Sequence, residues 1–472
     1  MATLGESEEE ILVDRLVDRA RRAQAAFEKD ADQARYDRAA LAAAWAVMEP
    51  ARNRELAELA VACTGLGNVD DKITKNHRKT LGLLRDIGRA RTQGVIAENA
   101  ARGLVEIARP IGVIGAVVPS TNPVATPVNN IVNALKCGNA IILSPSPKGQ
   151  PVCERLLALV HAELRKAGLD PDLVQMLPVP SSKQKTQRLM TLADLVIVTG
   201  SRDNVRRAYA SGTPAIGVGV GNVTVIVDET ADLDDAAGKI AASKSFDNAT
   251  SCSSENVLIV VDAVYDRFLA ALAAEGGRML SGGDTEKLKS ALFRGGGLNP
   301  EMIARDARTV AELAGIDLTD APETRFLLIP GTGIGAGHPE SGEKLSPVAA
   351  LYRANDFRQA GELAGHVLAY QGAGHSVGLH TKEPSRAIEL GLVLPTCRMI
   401  VNQAHCFATG GAFDNGMPFS LSMGCGSWGG NSIDDNLNYK NFLNITKVVT
   451  TIKPDEPSLD EVFGDYWRFV GK

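Results

Sequence analysis

Residues 111–118 read IGVIGAVV, an apolar run of strand length that ends at Pro119. Residues 139–144, NAIILS, form a second run of the same kind. Further apolar runs lie at residues 173–177 and 195–199. Helical stretches lie between the runs, at residues 124–136, 151–167 and 181–192. Short buried strands that alternate with helices are typical of βαβ units around a parallel sheet. A nucleotide would bind at the carboxyl ends of such strands, although no GxGxxG motif with the expected spacing supports that prediction.

The same alternation resumes after residue 222. Apolar runs lie at residues 223–228, 256–261, 326–329 and 346–352. Helical stretches lie at residues 234–246, 265–274 and 355–364. This pattern predicts a second α/β domain. Glycine-dense segments at residues 372–378 and 424–430 indicate tight turns, and at a domain cleft they indicate close approach of the backbone to a ligand.

Length and composition indicate a multidomain cytoplasmic protein. The chain has 472 residues, more than one hydrophobic core usually serves. Its formal net charge of −6 argues against nucleic acid or an anionic membrane as a partner. No apolar run approaches the ~18 residues of a membrane span, and the amino terminus lacks the layout of a secretion signal. We therefore expect a cytoplasmic location.

Residues 6–91 are helical in character, with Ile11, Leu12, Leu16 and Val17 at helix spacing among charged residues. Such an amphipathic helix either docks to a partner or protein shell, or packs on its own domain. We favour packing on its own domain, because no flexible linker separates the helix from the rest of the chain.

The cysteines and histidines indicate reduced thiols and no metal site. There are seven cysteines, an odd number, with scattered spacing and no CxxC pair. This pattern predicts neither a disulfide framework nor a zinc site. The seven histidines form no HxxxH or HExxH arrangement.

Three segments have the residue types that chemistry at a cleft needs. Cys252 lies in FDNATSCSSE (residues 246–255), where small polar neighbours indicate an accessible thiol but do not by themselves establish a nucleophile. Asn122 lies in PSTNP (residues 119–123), and its amide either stabilises an oxyanion or is an ordinary turn asparagine. Ser201, after Thr199 and Gly200, can cap a helix that faces a phosphate, a weak motif by itself.

Four segments together resemble the CoA-acylating branch of the aldehyde dehydrogenase superfamily, the branch that contains the aldehyde half of bifunctional aldehyde–alcohol dehydrogenases. They are RPIGVIGAVVPSTNP (residues 109–123), SGTPAIGVGVGNVTVIVDETAD (211–232), SFDNATSCSSE (245–255) and GCGSWGGNS (424–432), with EKLSP (343–347) between the last two. The four occur in order along the chain, and weaker similarity extends over most of it.

The resemblance implies an aldehyde dehydrogenase-like α/β fold with parallel-type sheets. It implies a Rossmann-like cofactor-binding domain at residues 1–222 and a catalytic cysteine domain at residues 223–425. A return segment and oligomerisation tail would occupy residues 426–472. A projecting hairpin around residues 92–109 and this tail would complete the sheet of a neighbour in a homodimer or homotetramer.

The resemblance also implies residue roles. Cys252 matches the nucleophile, and Asn122 with the Cys252 N–H matches the oxyanion hole. Glu343 matches a glutamate that holds the nicotinamide ribose. His375, in GAGHS, matches a histidine of the branch for which packing and CoA contact are both open. The other cofactor contacts that it implies are Pro119, Ser120, Thr121, Ser144, Pro145, Lys148, Thr199, Gly200, Ser201, Gly219 and Leu345.

One departure from the hydrolytic aldehyde dehydrogenases bears on the reaction. Those enzymes carry a glutamate in an ELGG-like motif that activates water, whereas the corresponding GVGVGN (residues 217–222) has no carboxylate. A general base contributes about 10²–10⁴-fold, so water would cleave a Cys252 thioester slowly, while the CoA thiol can displace it. The expected reaction is oxidation of an aldehyde by NAD or NADP with CoA as acyl acceptor. A hydrolytic enzyme, an acyl-phosphate reductase and a catalytically silent scaffold are the competing functions.

The sequence constrains the substrate less. The resemblance places the substrate pocket at residues 398–410, where relatives that act on acetaldehyde have a smaller, less polar stretch. Gln403 and His405 add donors for an anionic tail, which favours sulfoacetaldehyde and leaves succinate semialdehyde as a candidate. A plain short-chain substrate such as acetaldehyde or propionaldehyde fits equally. SPSPK (residues 144–148) has no acidic residue that would exclude the 2′-phosphate of NADP.

Overall fold

The computed structural model describes residues 7–472 and begins with four helices. They are α1 (Glu8–Glu28), α2 (Gln33–Met48), α3 (Pro50–Thr64) and α4 (Val69–Ile87). Ser7 and Glu10 form a capping box at the start of α1, and the Asn68 side chain caps α4. Leu16 and Val17 are buried in the first hydrophobic core, whereas Ile11 and Leu12 are exposed. Thus α1 packs on its own domain, as predicted, but through only two of the four apolar residues on which the prediction rests.

A hairpin and a five-stranded sheet follow. The strands are β1 (Gly94–Asn99), β2 (Leu104–Pro110), β3 (Val113–Val118), β4 (Ala140–Pro145), β5 (Val174–Met176), β6 (Leu195–Thr199) and β7 (Ala215–Val218), and the helices are α5 (Ala125–Lys136), α6 (Gln150–Lys166), α7 (Lys183–Leu192) and α8 (Arg202–Tyr209). The sheet has the order β5-β4-β3-β6-β7, and all its pairs are parallel. Every residue of β3 and β4 is buried, which explains their continuous apolar sequences. The winding direction switches between β3 and β6.

A second, seven-stranded sheet forms the other core. Its part of the chain contains β8 (Val223–Val227), α9 (Leu233–Ser245), β9 (Glu255–Val261), α10 (Tyr265–Ala274), β10 (Gly277–Met279), α11 (Gly282–Leu292), β11 (Phe293–Arg294), β12 (Gly297–Leu298), α12 (Ala307–Leu313), β13 (Phe326–Pro330), β14 (Val348–Ala354), α13 (Phe357–Tyr370), β15 (Val377–His380), α14 (Ser385–Val393), β16 (Met399–Val401) and α15 (His405–Ala408). The order is β10-β13-β14-β9-β8-β15-β16, again parallel. The predicted fold class, α/β with two parallel sheets, is confirmed.

The chain then returns to the first core. Phe419, Leu437 and Phe442 are fully buried there, so the return begins before residue 426, the start expected from the sequence. β17 (Leu443–Val449) pairs with β2, and together with β1 it makes a three-stranded antiparallel sheet. The last helix, α16 (Leu459–Val470), has no buried residue.

Residues 7–472 contain neither a membrane-spanning helix nor a metal-binding cluster. No helix in this range has the length and apolar character needed to cross a bilayer. The same residues contain no group of three or more His, Cys, Asp or Glu side chains arranged to hold a metal ion.

Candidate active site

A cavity of about 340 Å³ lies where the two α/β units meet. Its wall includes the carboxyl ends of β3 and β6, the loop after β7, the cysteine loop and part of α4. The residues predicted for the site that line it are Pro119, Thr121, Asn122, Thr199, Gly200, Ser201, Gly219, Cys252, Glu343 and Leu345. The cavity therefore lies at the switch point of the first sheet, where open α/β sheets bind their ligands.

A strained turn presents Cys252 to this cavity. Residues 247–249 all have left-handed backbone angles, with φ of 48°, 52° and 56°. Each costs about 1–2 kcal/mol in a residue other than glycine, so the turn needs support. The buried Asp247 carboxylate supplies it, because it accepts hydrogen bonds from Lys72 Nζ at 3.2 Å and from Lys75 Nζ at 2.5 Å. Helix α4 thus holds the cysteine loop in place.

The Cys252 thiol is half-buried on the cavity wall. Burial raises the pKa of Cys252 to about 12, and the Glu343 carboxylate acts in the same direction. The Cys252 N–H has no backbone acceptor among the residues described. The sulfur can be reached from the cavity, but at neutral pH it carries its proton in the free protein. Its action as a nucleophile requires loss of that proton as substrates bind.

Lys75, which also binds Asp247, holds the Asn122 side chain in place. Lys75 Nζ donates to Asn122 Oδ1 at 3.0 Å. Because an ammonium group can only donate, the Asn122 amide oxygen must face Lys75. The Asn122 Nδ2 then has no protein acceptor among residues 7–472 and is free to donate into the cavity. Lys75 is therefore a positioning residue for Asn122, a contact that the sequence analysis missed.

The loop after β7 leaves no room beside the nucleophile. A Cβ atom on Gly221 would lie 2.2 Å from the Cys252 carbonyl oxygen, so only glycine fits there. The neighbouring Asn222 is buried and donates to the Ser341 carbonyl at 2.8 Å. Among the lining residues described, Glu343 is the one carboxylate on the wall, and burial raises the pKa of Glu343 to about 8.

Several features of the wall fit a nicotinamide dinucleotide. The Glu343 carboxylate accepts no hydrogen bond from the residues described, so it is available to ribose hydroxyls. Ser201 is the N-cap residue of α8, and its hydroxyl accepts a hydrogen bond from the Asn204 N–H. A second cavity, of about 500 Å³, shares Val218–Val220 with the first and contains Arg202 and Arg206 on its wall. A helix amino terminus with two arginines suits phosphate groups.

Four residues predicted for cofactor binding lie off the main cavity. Ser120 follows β3 without lining the wall, and Ser144 and Pro145 end the adjacent strand, β4. The Ser144 hydroxyl is 2.9 Å from Thr186 Oγ1. Lys148 is exposed on the turn after β4. All four are at the same edge of the sheet as the cavity.

The structure places Gln403, His405 and His375 away from both cavities, which corrects the expected anion contact. His405 is fully buried, and its Nε2 lies 2.8 Å from Ser376 Oγ. Gln403 Oε1 accepts from Asn415 Nδ2 at 2.9 Å. His375 is also buried and is 2.8 Å from the same Ser376 hydroxyl, so its position favours packing over CoA contact. Burial lowers the pKa of His375 to about 3, so it is neutral.

The cations that do line the cavity come from α4, and the sequence analysis missed them. They are Lys75, Arg78 and Lys79. Within the helix, the buried positions include Lys72, Lys75 and Lys79 in register with Leu83 and Ile87. A stripe at this spacing is normally apolar, so lysines within it were a signal of a functional surface.

Comparisons with known proteins agree with this geometry. Residues 2–307 match the model of the aldehyde dehydrogenase family. The chain is 59% identical over 457 residues to the acylating sulfoacetaldehyde dehydrogenase of Cupriavidus necator, covering 97% of this chain and 92% of that protein. It is 37% identical to the acetylating succinate-semialdehyde dehydrogenase of Clostridium kluyveri, covering 86% and 90%. The structure resembles that of an acetylating aldehyde dehydrogenase from Geobacillus thermoglucosidasius, with a TM-score of 0.91, 32% identity, and coverage of 96% and 99%.

Proposed function

Because this chain belongs to the aldehyde dehydrogenase family, we propose that it oxidises sulfoacetaldehyde and transfers the acyl group to CoA through a thioester on Cys252. Aldehyde, CoA and NAD(P)⁺ become acyl-CoA, NAD(P)H and a proton. One observation carries the proposal: Cys252 shares a cavity wall with Asn122 and packs against a loop that has no carboxylate.

The residues around Cys252 suit the first step. When the Cys252 sulfur attacks the aldehyde carbon, the carbonyl oxygen becomes an oxyanion. Within residues 7–472, Asn122 Nδ2 and the Cys252 N–H donate to no other residue. Each such donor contributes about 3 kcal/mol in comparable sites. Lys75 keeps the Asn122 amide in the orientation that donates.

The cavity also suits a dinucleotide beside the sulfur. Glu343 would hold the ribose, and the start of α8 with Arg202 and Arg206 would hold phosphates. When bound, a nicotinamide dinucleotide accepts the hydrogen and two electrons that the substrate carbon loses. The product on the protein is then a thioester of Cys252. Residues 144–148, at the end of β4, include no carboxylate that would repel the 2′-phosphate of NADP. The proposal therefore allows both NAD and NADP.

Transfer of the acyl group to CoA is favoured over hydrolysis. Cleavage by water needs a positioned base, worth about 10²–10⁴-fold, and residues 217–222 provide none. A thiol acceptor needs no such base once it is ionised, because thiolates are strong nucleophiles. The thioester of Cys252 therefore passes its acyl group to the CoA thiol, and Cys252 leaves as the thiolate.

Sulfoacetaldehyde is supported as the substrate by the 59% identity to a relative of that name. The identity to the succinate-semialdehyde enzyme is lower, at 37%. A cavity wall with several cations also suits an aldehyde with an anionic tail better than acetaldehyde or propionaldehyde.

The test is an absorbance assay of NAD(P)H formation across aldehydes, with and without CoA. We expect sustained turnover of sulfoacetaldehyde only when CoA is present, and a higher kcat/KM for sulfoacetaldehyde than for succinate semialdehyde or propanal. The Cys252→Ala variant should form no NAD(P)H. Sustained turnover without CoA would show a hydrolytic enzyme, and a preference for propanal would exclude sulfoacetaldehyde as the substrate.

We also propose a homodimer or homotetramer in the cytoplasm. The three-stranded sheet and α16 expose apolar side chains, among them Val449 at 70% and Phe469 at 88%. A second copy that covers these side chains would remove apolar surface from water. The seven free cysteines suit a reducing compartment. Multi-angle light scattering should give a dimer or tetramer mass, and a monomer at micromolar concentration would contradict the assembly.

A further inference from the structure

Two cations on the cavity wall have no acidic partner. Lys79 Nζ donates to the Gly410 carbonyl at 2.5 Å and lies 5.5 Å from the centroid of the Phe419 ring. The Arg78 guanidinium lies 4.9 Å from the centroid of the Phe407 ring. Neither side chain forms an ion pair within residues 7–472, although both line the cavity that contains Cys252.

The other two lysines on this face of α4 share one acidic partner. Lys72 and Lys75 both pair with the Asp247 carboxylate. Lys79 Nζ hydrogen-bonds to a carbonyl but has no carboxylate partner among the residues described, and Lys79 is 7% exposed. Burial, followed by the charge of Arg78, lowers the pKa of Lys79 to about 7. An anion that binds beside Lys79 would therefore favour its charged form, whereas the Arg78 guanidinium keeps its charge at neutral pH.

No carboxylate among residues 7–472 pairs with either cation. Glu343 is the one acidic side chain among the lining residues described, and it forms no ion pair with Arg78 or Lys79. Asp414 acts on Arg78 only at longer range, and its side chain is exposed. The thiols of Cys252 and Cys406 also act on Lys79, but burial raises the pKa of each to about 12, so both are neutral in the free protein. An anionic ligand is therefore the partner that the two cations still lack.

We propose that Arg78 and Lys79 bind the sulfonate group of the substrate and thereby determine specificity for sulfoacetaldehyde. This inference rests on the proposed function and adds residues to it. A sulfonate keeps its charge at all physiological pH values and offers three oxygens, which suits a guanidinium fork beside an ammonium group. The rings of Phe407 and Phe419 lie within cation–π distance of the two cations and limit their hydration.

The decisive variants are Arg78→Met, Lys79→Met and the double variant. Methionine keeps the length and apolar contacts of the side chain and removes the charge. We expect kcat/KM for sulfoacetaldehyde to fall about 10- to 100-fold for each single variant, mainly through KM, because each removes a charge-assisted hydrogen bond. The kcat/KM for propanal should change much less. Lys79→Arg, which keeps the charge, should recover part of the loss.

Arg85→Met is the matched control. Arg85 lies on the same helix and its guanidinium is 4.8 Å from the Phe419 centroid, but it pairs with Asp86 and does not line the cavity. This variant should leave the ratio of the two kcat/KM values unchanged. An equal loss of both aldehydes in Arg78→Met and Lys79→Met would mean a structural role and would overturn the inference.

A binding experiment removes any dependence on turnover. Ethanesulfonate should inhibit propanal oxidation competitively in the wild type and raise its midpoint of thermal unfolding, and the double variant should lose both effects. Unchanged inhibition in the double variant would refute the inference.

These outcomes separate the inference from the proposed function. If the wild type oxidises sulfoacetaldehyde with CoA and the variants do so equally well, the function stands and the anion site is wrong. If the wild type shows no CoA-dependent oxidation of sulfoacetaldehyde, the proposed function fails first, and ethanesulfonate binding still decides whether Arg78 and Lys79 hold a sulfonate.

Discussion

The contact between Gly221 and Cys252 predicts a large effect from adding one methyl group. In Gly221→Ala the new Cβ would lie 2.2 Å from the Cys252 carbonyl oxygen, 2.9 Å from its carbonyl carbon and 2.9 Å from its Cβ. Side-chain Cβ atoms essentially never approach other atoms closer than 3.0 Å. The cysteine loop or the loop after β7 must therefore move.

The size of the movement sets the size of the effect. Relief of the closest contact needs a shift of about 0.8 Å, and a misplacement near 1 Å costs about 10²-fold in rate when the reacting groups must align. The Asp247 carboxylate anchors the cysteine loop to α4, so strain at Cys252 has little room to relax. We expect kcat/KM for sulfoacetaldehyde to fall about 100-fold, with a modest loss of stability of about 1–3 kcal/mol from overpacking.

Steady-state kinetics with CoA, together with thermal unfolding, checks this prediction. Gly297→Ala is the control, because a Cβ at Gly297 meets open space and the residue has no positive φ. Gly297→Ala should retain the activity and the unfolding midpoint of the wild type. If Gly221→Ala keeps kcat/KM within about threefold of the wild type, the rigid contact does not position the nucleophile and the reasoning fails.

Three further substitutions test separate parts of the site. Asn122→Ala should lower kcat about 10²–10³-fold with little change in the KM for aldehyde, because the oxyanion donor acts mainly in the transition state; unchanged kcat would contradict this role. Burial would raise the pKa of Asp247, but the charges of Lys75 and Lys72 outweigh burial and hold this pKa below its usual value. The stability that the Asp247 carboxylate supplies is therefore present above its unfolded-state pKa of about 3.9 and is lost as pH falls through the lower folded-state pKa. Asp247→Asn should thus lower the unfolding midpoint at pH 7, and the gap to the wild type should narrow below about pH 4, as calorimetry can show. Glu343→Gln should raise the KM for NAD(P) and, at about pH 9, speed alkylation of Cys252 by iodoacetamide measured by peptide mass spectrometry, because the ionised carboxylate raises the pKa of that thiol; slower alkylation would contradict this electrostatic effect.

The sequence predicted the sheets well because their strands are buried on both faces. A strand covered by helices on each side reads as an unbroken apolar run, as residues 113–118 do, and such runs are distinguishable without tertiary information. The nucleophile was identified by resemblance and not by physics, since the residues around Cys252 distinguish it only weakly from a packed thiol.

The charged part of the site was missed because its partners are distant in sequence. Lys75 reads as a solvated surface lysine until Asp247, 172 residues away, is placed beside it. His405 was wrongly predicted to contact the substrate. Its polar segment suggested a ligand contact, but the position of α15 buries the side chain against Ser376, a residue 29 positions away. Local patterns do not report such long-range pairs.

The thioester on Cys252 is tested most directly by intact-protein and peptide mass spectrometry of enzyme mixed with sulfoacetaldehyde and NAD(P)⁺ in the absence of CoA. We expect a burst of NAD(P)H close to one per active site and a mass gain of one sulfoacetyl group on the peptide that contains Cys252. This mass gain should disappear when CoA is added and sulfoacetyl-CoA forms. Steady NAD(P)H production without CoA, with Cys252 left unmodified, would contradict it.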